Sequence, residues 1–246
     1  MNMRWKDIPK AQSQAAPPVP VGDSIDVLDK GFVRLDAVSA DDLSVVNAAR
    51  VSFGKRHETM EDGDDKLIQF LMREKHGTPF EHNFFRFHVK APIFVVREWF
   101  RHRIGWSYNE YSGRYAEIET EGYIPAPAQI RTQVGKPGAY TFHPLPAAQY
   151  PIDGMQSAYA HSFFAYKTLI KQGVAKEVAR MVLPVGTYTE FYATTNARAL
   201  LNFISLRADE HAQWEIQQYA QALASHLQQH MPITWEAYET NNRVAP

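Results

Sequence analysis

Apolar residues recur along this chain with two periods, and the switches between them lay out its elements. From Ser24 to Leu35 they alternate loosely (Ile25, Val27 and Leu28, then Phe32, Val33 and Leu35) around the turn pair Lys30-Gly31. That pattern predicts a β-hairpin. Phe85, Phe87 and Val89 alternate with Arg86, His88 and Lys90, which predicts a strand with one polar face. Thr187 to Thr195 is β-branched and aromatic and predicts another strand.

Helical spacing governs most of the rest. Asp41-Asp42 caps a helix through Leu43, Val46 and Ala49, and Leu67, Ile68, Leu71 and Met72 share one face of Lys66 to Lys75. Pro92 opens an apolar helix, Ile93 to Phe100, that runs into Arg101-His102-Arg103. Met155 to Lys171 predicts a helix stopped at Gly173, and Glu177 to Val182 a short one ended by Pro184. Asn196 caps a helix carrying Leu200, Leu201, Phe203 and Ile204, and Asp209 opens a long one to about His230. Arg56 to Asp65 and the proline-rich stretch Pro125 to Tyr150 carry no period and are expected to be loops.

No internal repeat or clean linker interrupts this order. Strands and helices mix without regular βαβ alternation, so residues 24–240 are expected to form a single α+β domain of mixed helices packed on a largely antiparallel sheet. Residues 1–23, rich in Pro, Ala and Gln and without the apolar core of a signal peptide, are expected to be a flexible arm.

Composition narrows the function. With 45% hydrophobic residues the chain can bury a substantial core, and a formal net charge of -1 gives no global field to draw in nucleic acid or an anionic membrane. There is no cysteine, which excludes disulfides, thiolate metal sites, iron–sulfur clusters and a cysteine nucleophile. No apolar run reaches the roughly 18 residues that span a bilayer. A cytoplasmic protein without membrane or nucleic-acid partners is expected.

Four clusters could carry chemistry. The first runs from Arg97 through Arg101-His102-Arg103 to Ser107, Asn109, Glu110, Ser112, Arg114 and Tyr115. Arginine forks bind phosphate bidentately, hydroxyls and amides can complete the cradle, and Ser112-Gly113 suits a turn that approaches a ligand closely. Spacing alone equally allows a surface ion network with Glu98, Glu110 and Glu117. The second, His76 to His82, holds one carboxylate between histidines, too few ligands for a metal centre; a histidine closing the preceding helix and a turn at Pro79 account for it. The third holds Asn196, Arg198, Asn202, Arg207, Asp209, His211 and Gln213. Arg198 with Asn202, and Arg207 with His211, stand one helical turn apart, while Asn196 and Asp209 suit N-caps. The fourth, Glu177 with Arg180, has the spacing of an ordinary surface ion pair.

Arg101-His102-Arg103 followed by Ser107-Tyr108-Asn109-Glu110-Tyr111-Ser112-Gly113-Arg114-Tyr115 resembles the signature of flavin-dependent thymidylate synthases. That signature is usually written with seven residues between Arg-His-Arg and Ser. Eight stand here, Ile104 to Tyr111, the extra one being placed at Gly105-Trp106. Ala49 to Phe53, His76 to His82, Lys176 to Arg180 and Asn202 to Gln217 are similar to family segments in the same order.

The resemblance implies the family's fold and a homotetramer with shared active sites. It implies FAD, dUMP as substrate, methylenetetrahydrofolate as carbon donor and NADPH as reductant. By position, Arg101, His102, Arg103, Ser52, His76, Thr78 and Asn202 resemble flavin-binding residues, with His211 beside the flavin and Glu177 near it. Glu98, Glu110, Ser112, Gly113, Arg114 and Arg180 resemble the dUMP-binding set, and Arg207 the arginine that holds and polarises the uracil.

The chemistry fits these residue types. Making C5 of uracil nucleophilic by thiolate addition needs a cysteine, so activation here must be electrostatic, and Arg207 is the expected catalytic group. Ser112 lacks an evident general base and is expected to donate to the dUMP phosphate rather than attack. The rival expectations are a flavin- or nucleotide-binding homologue without turnover, and an RNA-binding module whose affinity would fall steeply with salt.

Overall fold

The computed structural model describes residues 22, 24–137 and 139–246. Of the expected arm, residues 1–21 and 23 lie outside these. The hairpin expected around Lys30-Gly31 is present: β1 (Ser24–Val27) pairs antiparallel with β2 (Gly31–Ser39). Next come α1 (Asp42–Arg50), α2 (Asp64–Arg73), β3 (Phe84–Pro92), α3 (Ile93–Trp99) and β4 (Trp106–Glu110). A second hairpin, β5 (Arg131–Lys136) and β6 (Ala139–Pro144), precedes α4 (Gln149–Lys171) and α5 (Lys176–Ala179). The chain continues through β7 (Tyr188–Thr195), α6 (Ala197–Arg207), α7 (Trp214–His230) and α8 (Pro232–Thr240).

The main sheet has the order β1-β2-β3-β7-β4, and every pairing in it is antiparallel. The α+β expectation holds. The period-two pattern of β3 does what it predicts: Phe85, Phe87, Val89 and Ala91 are fully buried, while Arg86 points to solvent. A bulge in β2 falls between Leu35 and Ala37, so Asp36 stands out of register and reaches both Arg34 and Arg86. On the buried face, Trp99 at the end of α3 meets Trp106, Phe191, Phe203 and Tyr219 at ring-centroid distances of 4.8 to 6.3 Å. One aromatic cluster thereby locks α3, β4, β7, α6 and α7 together. Cutting Trp99 to alanine would cost about 3–5 kcal/mol.

Three expectations need correction. The stretch Pro125 to Tyr150 is not all loop; it contains the β5–β6 hairpin, whose residues are exposed on both faces and so show no burial period. Helix α4 begins at Gln149 rather than Met155, with Pro151 tolerated in its first turn, where a missing N–H costs nothing. Helix α7 begins at Trp214 rather than Asp209. The Asp209 carboxylate accepts from the His211 amide at 2.8 Å, a local turn that competes with the helix. Asp41 and Asn196 do cap α1 and α6, accepting from the amides of Ser44 and Ala199. Among the described residues, no helix is long and apolar enough to cross a membrane.

Candidate active site

The site forms where α3 ends. Burial of Val95, Val96 and Trp99 fixes the helix, so Glu98 and the turn Arg101 to Gly105 are held on the opposite side. Gly105 sits at φ +73°, and a side chain there would run into Ala199 of α6. The tight turn delivers Trp106 into the core as β4 begins, and the Tyr108 hydroxyl donates back to the His102 carbonyl at 2.8 Å.

Arg207, the last residue of α6, meets this turn from far along the chain. Its Nε donates to His102 Nε2 at 2.9 Å, its Nη1 to Glu98 Oε2 at 2.9 Å and its Nη2 to the Glu98 carbonyl at 3.2 Å. The pair is half-buried. Burial first, then the charges of Arg207 and Arg101, pull His102 down to about 4. His102 is therefore neutral near pH 7, as its role of acceptor from Arg207 requires. Its ring also packs on Phe203 at 4.7 Å.

An open groove of about 690 Å³ runs beside this network, lined by Arg101, His102, Arg103, Trp106, Asn202 and Arg207 among others. Arg101 and Arg103 are exposed and have no carboxylate partner among the described residues. The surface ion network thus fails as an account of them: Glu98 pairs with Arg207, Glu110 accepts from the Thr189 hydroxyl at 2.9 Å, and Glu117 pairs with neither arginine. Two uncommitted guanidinium forks on a groove wall are the donor set a diphosphate-linked cofactor such as FAD would need.

The other flavin candidates lie apart from that groove within one chain. His76 is exposed and stacks on Phe70 at 5.7 Å, its amide closing the end of α2 onto Leu71. Gly77 has no room for a Cβ because Arg198 fills the space, so the His76-Thr78 turn leans on α6. Arg198 and Asn202 share a neighbouring groove, as their spacing predicted. Ser52 is exposed on the turn after α1. His211 does not share a helical face with Arg207; it lies in the turn beyond α6, exposed and bonded to Asp209 at 2.8 Å.

The candidate dUMP residues form a second, looser group. Gly113 is buried against Ile118 and close to the Arg180 side chain. Ser112 Oγ accepts from the Arg114 amide at 3.4 Å, and Arg114 reaches Glu177 at 3.4 Å. The spacing of Glu177 with Arg180 does not give an ion pair here; Arg180 has no carboxylate partner among the described residues. Glu98 is grouped with Arg207 instead. Among the described residues, Ser112 has no histidine or carboxylate in hydrogen-bond reach that could serve as its base.

Several contributors escaped the sequence. Tyr108 supports His102, Thr189 holds Glu110, and Trp106 and Leu206 help wall the arginine groove. The strand β4 that carries Trp106 and Tyr108 was not among the expected elements.

Residues 35–233 match the thymidylate synthase complementing protein family, Thy1. A flavin-dependent thymidylate synthase of Thermosipho africanus is 50% identical over 212 residues, covering 86% of this chain and 92% of that protein. The Thermotoga neapolitana enzyme of the same description is 50% identical over 215 residues, covering 87% and 93%. Among solved structures, the UMP/dUMP methylase PolB from Streptomyces cacaoi, bound with 5-Br dUMP, superposes with a TM-score of 0.83 at 41% identity, covering 90% of this chain and all of that one. This chain therefore belongs to the family of flavin-dependent thymidylate synthases, enzymes of methyl transfer.

Proposed function

We propose that this chain converts dUMP to dTMP in the presence of bound FAD, with methylenetetrahydrofolate as carbon donor and NADPH as reductant, and releases tetrahydrofolate. The observation that carries the reading is the bracing of Arg207. A guanidinium has five N–H groups. Three are committed, to His102 and to two oxygens of Glu98, which leaves one N–H on each terminal nitrogen. Those two remain available to a pyrimidine carbonyl edge, on a guanidinium that the rest of the network holds in place. Charge building on the uracil as C5 becomes nucleophilic would be met by a cation already oriented and half-desolvated. Because His102 stays neutral, it accepts from Arg207 without competing for that charge.

Reduced FAD supplies the reducing equivalents that let the transferred carbon end as a methyl group. Arg101 and Arg103, with His102 and Asn202, would hold it along the arginine groove. Ser52, His76, Thr78 and His211 lie outside that groove within one chain, which fits the shared active sites of the homotetramer that the resemblance implies. Arg180 and Arg114 would bind the dUMP phosphate with Ser112 and the Gly113 backbone, and Glu110 would contact the nucleotide nearby. With no cysteine in the sequence, thiolate addition to uracil is closed.

The test begins with colour. The purified protein should be yellow, bleach on adding NADPH, and form dTMP only when dUMP and methylenetetrahydrofolate are both present. UMP in place of dUMP reports how far the sugar matters. Bleaching without methyl transfer to either nucleotide would defeat the proposal and leave a flavin-binding homologue.

A further inference from the structure

The turn Val51–Phe53 joins a free surface to an unusually committed base. At its top, Val51 is 69% and Phe53 80% exposed, and the Ser52 side chain has no hydrogen bond among the described residues. Gly54 closes the turn at φ +63°, donating to the Val51 carbonyl at 3.0 Å, and the Lys55 amide returns to Arg50 at 3.3 Å.

Beneath it lies Asp64, fully buried. One of its oxygens accepts from both Nε and Nη2 of Arg50, the residue directly before the turn. The other accepts from the Glu61 amide and meets His57 Nδ1, each at 2.9 Å. His57 is in turn gripped through its backbone by Asn47, which donates to its carbonyl at 2.9 Å and accepts from its amide at 2.8 Å. Burial alone would push the Asp64 carboxyl up, but the Glu61 amide, Arg50 and His57 together hold it at about 2, so it is ionised throughout the working range. One buried carboxylate thus ties α1, the loop after the turn and α2 into a rigid support for exposed side chains.

Residues presented on a fixed base lose little freedom when a ligand arrives. We infer that Asp64 is a positioning residue for the flavin: through Arg50 and His57 it fixes the Val51–Phe53 turn so that Ser52 is held ready for its ligand. The inference rests on the reading that Ser52 faces FAD.

The full-length protein is titrated with FAD, and the dissociation constant is taken from the flavin signal, with far-UV circular dichroism as the check on folding. Asp64→Asn should weaken FAD binding about tenfold, and Asn47→Ala, which loosens only the His57 side, roughly threefold. Ser52→Ala should weaken it as well, and the double variant Asp64→Asn with Ser52→Ala should bind about as well as Asp64→Asn alone, because the two act through one contact. A purely structural aspartate would give additive effects. Wild-type affinity in folded Asp64→Asn, or full additivity in the cycle, overturns the inference; if Asp64→Asn does not fold, the Asn47→Ala cycle decides in the same way. Absence of FAD binding by the wild type would instead overturn the functional reading beneath it, and the inference with it.

Discussion

Two arginines of the proposed nucleotide site are held in opposite ways. Arg207 is half-buried and braced by three hydrogen bonds to Glu98 and His102. Arg180 is exposed, follows a four-residue helix and has no carboxylate partner among the described residues. A braced cation has one direction in which to act and has already lost its water on several sides, so it can respond to charge that develops during reaction. A loose one gains most when an anion arrives, whatever happens afterwards. On the proposed reading the contrast separates binding a nucleotide from activating it, with the second task assigned to the end of α6.

The largest effect should come from breaking the brace. Arg207→Ala should reduce dTMP formation by roughly a thousandfold, the scale of losing a preorganised group that stabilises transition-state charge, while leaving FAD bound. Turnover near wild type would remove Arg207 from the chemistry. Arg207→Lys sharpens the point, because an ammonium keeps the charge but cannot keep three directed contacts and a fork. It should recover little of the lost rate.

Arg180→Ala should act on binding instead. We expect KM for dUMP to rise about tenfold with kcat little changed, and the defect to shrink as ionic strength increases, since exposed charge is screened. A fall in kcat with unchanged KM would merge the two regions into one. Smaller still is Ser112→Ala, which should cost a few-fold in KM and leave measurable activity. A folded variant that binds dUMP and is completely inactive would reopen Ser112 as a nucleophile.

How much of this was visible in the sequence follows the same division between local and distant causes. β3 announced itself because one of its faces is buried and the other is not. The β5–β6 hairpin did not, because both its faces are exposed and nothing selects an apolar period; the pair Pro137-Gly138 was its one local signal. Asp41 and Asn196 cap as their positions suggested, yet Asp209 looks identical in sequence and caps no helix. In the site, Arg198 and Asn202 lie on one helical face and could be paired by spacing. Glu98 and Arg207 are 109 positions apart, and it takes tertiary packing, such as Trp99 against Phe203, to bring α3 and α6 together. Resemblance named both residues, but it could not say that each is the other's partner.

Two histidines of the candidate set, His102 against Arg207 and His211 in the turn beyond α6, offer the finest test of the difference between a braced and an open environment. His102 lies below its ordinary value, at about 4, because burial and two guanidinium groups oppose its proton. Between about 4 and 6.5 the unfolded chain then binds the proton that the folded one refuses, so this residue makes stability fall as pH drops through that window. His211 has the opposite sign: the hydrogen bond to Asp209, and the charges of Asp209 and Glu210, raise it. Its contribution is present below the ordinary histidine value and is lost as pH rises through the raised one. Since the His211 side chain is 75% exposed, water and salt leave that contribution small. Melting temperatures measured from pH 8 downwards should therefore show His102→Gln gaining on the wild type as acid is added, and His211→Gln falling slightly behind. If the two variants instead shift in the same direction, the enclosed histidine and the exposed one are not electrostatically distinct, and the account of the brace as a desolvated acceptor–donor pair fails with them.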